Sequence, residues 1–163
     1  DPRFLFVNVG YNLRPMELSG AMGLVQLPKL KQFVDVRRQN SAWFRRELAQ
    51  YGDFFDFQEE TPKGHHSWFG FPIRVKGNAG FKVTELTKAL NAKHVETRPI
   101  IAGNIARQPA LKLYEHRVVG DMKHSNAVMD GAFSFGNHQD VDSGARQYVA
   151  EQVRSFLRSR QLI

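Results

Sequence analysis

Val9-Gly10-Tyr11-Asn12-Leu13-Arg14-Pro15-Met16-Glu17-Leu18-Ser19-Gly20-Ala21-Met22-Gly23-Leu24 reads as a glycine-opened polar loop running into a helix of small residues. Gly10 opens backbone angles closed to other residues, and Pro15 suits the first turn of a helix. Asn12 and Arg14 stand two apart, so an extended backbone points both the same way. A carboxamide beside a guanidinium is a donor set suited to phosphate or another anion. The plainer reading leaves Asn12 as a helix cap and Arg14 as a solvated cation. Glycines weaken an isolated helix, so Ser19, Gly20, Ala21 and Gly23 predict close packing against another backbone.

Working outward, Pro28 opens a longer helix to about Tyr51. Leu30, Phe33, Val36, Phe44 and Leu48 form its apolar face, and Gly52 ends it. Phe54, Phe55 and Phe57 begin a β-rich part. Ser67 to Val75 alternates as a strand, with Phe69, Phe71, Ile73 and Val75 on one face. A turn at Asn78-Ala79-Gly80 precedes a helix from Val83 to Lys93, with Leu86 and Leu90 inward and Thr84 as its cap. A strand from Val95 to Ile101 leads to the Gly103-Asn104 turn. Asp121 opens a helix with Met122 and Met129 inward; Ala132 to Phe135 is a short strand, and Gly136-Asn137-His138 a turn. The last helix, about Asp142 to Arg160, buries Ala145, Val149, Val153 and Phe156. Its other side carries Arg146, Glu151, Arg154 and Arg158. This order predicts an α+β fold, with helices packed on a small, mostly antiparallel sheet.

A chain of 163 residues is the size of one domain, and its 42% hydrophobic and 24% charged content is that of a globular protein. No apolar run approaches the roughly 20 residues of a membrane helix, so no membrane partner is expected. The opening Asp1-Pro2-Arg3-Phe4 has neither an initiator Met nor a secretion signal, and reads as a cut inside a longer protein. Absence of cysteine excludes disulfides and thiolate metal sites within the segment and fits a reducing cytoplasm. The net charge of +7 raises nucleic-acid binding. Yet Lys29, Lys31, Arg37, Arg38, Arg45 and Arg46 fall on an amphipathic helix, the usual pattern of a solvated face, with no nucleic-acid motif beside them. None of the six histidines forms a paired i, i+4 helix motif, so no metal site is expected. His138, just after a strand, is the best functional histidine; shaping the turn is its plainer role.

Four segments, Gly10 to Arg14, Ser67-Trp68-Phe69-Gly70-Phe71-Pro72, Thr97 to Pro109 and Arg117-Val118-Val119-Gly120, occur in the order found in one enzyme family. The chain resembles the DegT/DnrJ/EryC1/StrS family, fold-type-I enzymes that use pyridoxal phosphate (PLP) on nucleotide-linked keto sugars. Its Ala102-Gly103-Asn104-Ile105-Ala106-Arg107-Gln108-Pro109 run resembles the nucleotide-sugar 3-dehydratase branch in particular. The resemblance implies that residues 1–163 form a single C-terminal domain. Residues 1–27 would contact an absent large domain and a partner subunit, and 28–163 would form the α+β body. It implies PLP or pyridoxamine phosphate (PMP) as cofactor, a homodimer and a nucleotide-sugar substrate. Asn12 would contact the cofactor phosphate of the neighbouring subunit and Arg14 the cofactor and substrate. Phe4 and Tyr11 are weaker wall candidates, Phe4 reading more simply as core. Arg98, Asn104 and Arg107 would face the substrate entrance, Pro99 holding Arg98 out of helical geometry, with His138 as a further substrate contact. A cluster-bearing kind of 3-dehydratase takes cysteine ligands partly from this half, so no iron–sulfur cluster is expected.

The catalytic residue and the pyridine partner belong to the large domain of that family, and this segment alone is not expected to be a catalyst. The expected parent activity is C3 dehydration of a nucleotide-linked 4-keto-6-deoxyhexose, feeding surface-polysaccharide synthesis in the cytoplasm. The alternatives are a PLP-dependent nucleotide-sugar aminotransferase and, in another class, a non-catalytic basic interaction module.

Overall fold

The computed structural model describes residues 5–8, 10 and 16–163. Its elements are α1 (Glu17–Gln26), α2 (Leu30–Leu48), β1 (Phe55–Phe57), β2 (Gly70–Val75), α3 (Val83–Ala92), β3 (Thr97–Pro99), α4 (Lys123–Gly131), β4 (Ala132–Gly136) and α5 (Ser143–Ser159). The strands form one sheet in the order β1-β2-β4-β3, and every pairing is antiparallel. Alternation decides the register. Phe71 faces Phe135 and Ile73 faces Phe133 across β2 and β4, while Phe55 meets Val75. All six are buried on the same side of the sheet.

Helices α2, α3 and α5 cover that side through Phe44, Leu48, Leu86, Leu90, Val153, Phe156 and Leu157. Phe44 lies 4.9 Å from Phe135 and 5.2 Å from Phe71 between ring centroids. Each such side chain contributes roughly 1.5–3 kcal/mol by leaving water. Short β3 is tied to α3 by Asn91, whose amide donates to Thr97 Oγ1 (2.8 Å) while its carbonyl accepts the Thr97 N–H (3.0 Å).

Several local expectations change. Phe69 does not join the inward row; it is 83% exposed, while Trp68 is buried. Trp68 takes a left-handed φ of 51°, which breaks the alternation one residue before β2 begins. The cap of α3 is Lys82 rather than Thr84, with the Glu85 carboxylate accepting the Lys82 N–H at 2.8 Å. Ala145 is exposed, and Ala150 and Leu157 take the inward positions on α5. Met122 is the left-handed residue before α4, and it and Met129 are half-buried. Strand β3 is shorter than Val95 to Ile101 because its partner β4 offers only Phe133 to Phe135 to it.

Arg154 is not on a solvated face. It reaches Tyr51 Oη (3.0 Å), Glu47 (2.8 Å) and Glu151 across the α2–α5 seam. The Tyr51 and Glu151 bonds raise its pKa further above the arginine range. Arg146 likewise turns inward, donating to Asn40 Oδ1 (3.0 Å) with its guanidinium 5.4 Å from the Trp43 ring centroid. By contrast, α1 buries nothing within the described residues. Leu18, Met22, Leu24 and Val25 are exposed, and a Cβ built on Gly20 or Gly23 meets nothing within 4 Å.

Candidate functional site

The second face of the sheet is uncovered. Gly70, Pro72, Ser134 and Gly136 present little side chain there, and they floor a groove of about 520 Å³. Its walls include Arg37 of α2, His66, Phe69, Glu96, Arg98 of β3, and His138. Arg98 and His138, read separately from the sequence, therefore share one groove. Arg98 is exposed and gives Nε to Glu96 Oε1 at 2.9 Å. His138 follows β4, with Nδ1 lying 3.2 Å from the Asp140 carboxylate. Arg37 has no carboxylate partner among the described residues and donates Nε to the Phe33 carbonyl at 3.3 Å. Glu96 is the one acid lining the groove against two arginines and two histidines, so the groove attracts anions.

One end of the groove is held by Asn137, which is fully buried. Its amide nitrogen donates to the carbonyls of Arg37 (3.0 Å) and Trp68 (2.9 Å) and to Ser41 Oγ (2.9 Å). Three elements are thereby joined by one side chain. Beside it Arg38 grips Glu60 with both terminal nitrogens (2.6 and 2.9 Å) and also donates to the His66 carbonyl (2.7 Å). The Arg38 guanidinium, helped by the His66 N–H, holds the Glu60 carboxyl well below the usual range, at about 2. Arg38, read as solvated, is thus a clasp for the loop that carries His66.

Asn104 and Arg107 lie elsewhere. Asn104 is 3% exposed; Oδ1 accepts the Ala106 N–H (3.0 Å) and Nδ2 donates to Asn126 Oδ1 (2.9 Å). It caps the short 3-10 turn Ile105–Arg107. Arg107 is exposed and bound by Asp130 of α4 through one terminal nitrogen, at 2.8 and 2.9 Å. The Arg98, Asn104 and Arg107 set is therefore split, with Asn104 lining a second depression of about 430 Å³ beside Arg117, Val118 and Val119. Gly103 makes the bend possible, with φ +66° and no room for a Cβ, which would stand 2.7 Å from Met129 Cβ.

Phe4, Tyr11, Asn12 and Arg14 lie outside the described residues. The stretch before that loop is anchored. The Phe6 N–H donates to Gln108 Oε1 (3.2 Å) and its carbonyl accepts the Ala110 N–H (2.7 Å), while Gln108 Nε2 bonds the Ala102 carbonyl (3.0 Å). Gln108, Arg37, Phe69 and Asn137 carry no residue-level signal of these roles in the sequence, because each depends on partners far along the chain. Among the described residues, no group of three or more His, Asp or Glu is placed to hold a metal. None of their helices is long and apolar enough to cross a membrane.

Residues 1–154 match the model of the DegT/DnrJ/EryC1/StrS aminotransferase family. GDP-4-keto-6-deoxy-D-mannose 3-dehydratase of Yersinia pseudotuberculosis is 38% identical over 157 residues, covering 96% of this chain and 37% of the relative. The lipopolysaccharide biosynthesis protein RfbH of Salmonella typhimurium is 32% identical over 156 residues, covering 96% and 36%. Among solved structures, E. coli GDP-4-keto-6-deoxy-D-mannose-3-dehydratase with bound hydrated PLP matches with a TM-score of 0.78. It is 35% identical, and the match covers 93% of this chain and 38% of that one. The chain thus spans little more than a third of the length of these relatives.

Proposed function

The chain belongs to the DegT/DnrJ/EryC1/StrS aminotransferase family, and from that premise we propose that it is the C-terminal domain of a PLP/PMP-dependent nucleotide-sugar 3-dehydratase. Its substrate is a nucleotide-linked 4-keto-6-deoxyhexose, and it works as a homodimer in the cytoplasm. The observation that carries this reading is the likeness to a named 3-dehydratase at 38% identity across 96% of the chain.

Residues 1–27 face the large domain and the partner subunit. The exposed apolar side chains of α1, which find no cover among the described residues, support that placement. The donor set of Asn12 and Arg14 fits a cofactor phosphate, since a carboxamide N–H and a guanidinium both donate to its oxygens. Phe6, pinned by Gln108 and Ala110, fixes the chain just before that loop. When bound, the cofactor supplies an electron sink for loss of the C3 hydroxyl. The residues of this chain bind and orient. Arg98 and His138 meet the anionic part of the substrate in the groove, and Phe4 and Tyr11 line the sugar end. Asn104 and Arg107 steady the neighbouring entrance, Asn104 from its buried cap position and Arg107 from its exposed edge.

An aminotransferase would use the same cradle, and the family description keeps it as the second reading. The two differ at the Schiff-base position of the large domain. Reading that position in the complete protein tests the proposal: histidine is the expected residue, and lysine would move the activity to amine transfer.

A further inference from the structure

We propose that Phe69 is the platform on which the nucleobase of a bound nucleoside diphosphate stacks, an assignment that rests on the nucleotide-sugar reading above. Phe69 is 83% exposed and lines the groove, although its sequence alternation assigns it to the core. The left-handed Trp68 turns it outward, and that turn is fixed. The Trp68 N–H donates to His66 Nδ1 (2.9 Å), its carbonyl accepts from buried Asn137 (2.9 Å), and its ring sits edge-on 4.6 Å from the His66 ring. Phe69 is thus presented to solvent by a rigid support, the condition for a stacking surface that loses little entropy on binding.

The rest of the groove has the chemistry of the ligand's other end. Strand β4 lies between β2 and β3, so the β2 end that carries Phe69 and the β3 strand that carries Arg98 are separated by about 10 Å, two strand spacings. A base on Phe69 therefore leaves its diphosphate toward Arg98. One terminal nitrogen of Arg98 has no partner among the described residues, and Arg37 has no carboxylate partner there. Between them the floor is bare, since Gly70 pairs with Gly136 and a Cβ on Gly136 would meet nothing within 4 Å. The aromatic platform, open floor and paired cations together match a nucleoside diphosphate better than a free anion, which needs no platform. Stacking accepts any base, so the same device serves a purine or a pyrimidine.

The test is calorimetric binding of GDP, dTDP and inorganic pyrophosphate to the complete protein. Phe69→Ala is expected to weaken both nucleotides about tenfold, as loss of one base–aromatic stack does. It should leave pyrophosphate unchanged, while Phe69→Trp retains wild-type affinity. Gly136→Val, which adds bulk to the floor without a steric conflict, should weaken all three. Undiminished GDP and dTDP binding by Phe69→Ala, with Arg98→Ala weakening them, overturns the platform and leaves the proposed function standing. No binding of either nucleotide by the wild-type protein overturns both. A change of oligomeric state on Phe69→Ala with unaltered affinity overturns the platform and makes Phe69 a subunit contact.

Discussion

Gly103→Ala isolates one backbone position on which the Asn104 cap depends. Gly103 holds φ at +66°, and a Cβ there would stand 2.7 Å from Met129 Cβ and Cγ and 3.0 Å from Met129 Cα. Left-handed backbone costs an alanine roughly 1–2 kcal/mol, and forcing a methyl into packed surroundings adds about 1–3 kcal/mol. The sum, roughly 2–5 kcal/mol, lowers the midpoint of a domain this size by on the order of 5–15 °C. Scanning calorimetry with far-ultraviolet dichroism on the 163-residue chain would read it. Met129→Ala in the same background removes the steric part and should recover the overpacking share alone, leaving the strain. A Gly103→Ala midpoint within a degree of wild type would refute both the backbone assignment and the contact with α4.

Other consequences are equally concrete. The Glu60 carboxyl is held down to about 2 from 4.5, so its contribution is full above pH 4.5 and disappears as pH falls toward 2; Glu60→Gln should flatten that acid limb in a pH series of unfolding midpoints. Asn104→Ala removes a cap and a buried hydrogen bond to Asn126, and should cost about 1–3 kcal/mol in denaturant unfolding. In the complete protein, Asn12→Ala and Arg14→Ala should each weaken PMP retention on gel filtration at least tenfold, since a charge-assisted contact contributes roughly 1.5–3 kcal/mol; wild-type retention would count against the cradle. Arg98→Ala should raise KM for the nucleotide sugar more than it lowers kcat, as loss of ground-state binding does.

The core of this fold is legible in one-dimensional pattern because burial obeys it. Phe71, Ile73 and Val75 alternate, and Leu86 and Leu90 repeat at helical spacing, so each lies where periodicity puts it. What the pattern misses is set by long-range partners. Phe69 obeys the alternation yet points outward, because Trp68 leaves extended geometry to meet His66 and Asn137. Arg38, Arg146 and Arg154 look like solvated cations until Glu60, Asn40, Tyr51 and Glu47 come alongside them. A cation's sequence context does not reveal a partner many residues away. The candidate site divides the same way. Arg98 and His138 stand 40 residues apart and meet only because β3 and β4 pair, with Arg98 opposite Ser134. Arg37 enters the groove through the Asn137 bridge, which no local motif announces. The phosphate-type donor pair Asn12 and Arg14 was legible from spacing and chemistry alone, and its position lies outside the described residues.

The most direct measurement is product analysis of the complete protein, loaded with PMP and given a GDP-linked 4-keto-6-deoxyhexose. The account predicts a nucleotide sugar that has lost its C3 hydroxyl and gained no nitrogen, identified by mass spectrometry and proton NMR. A product carrying an amine at C4 with the C3 hydroxyl intact would contradict it.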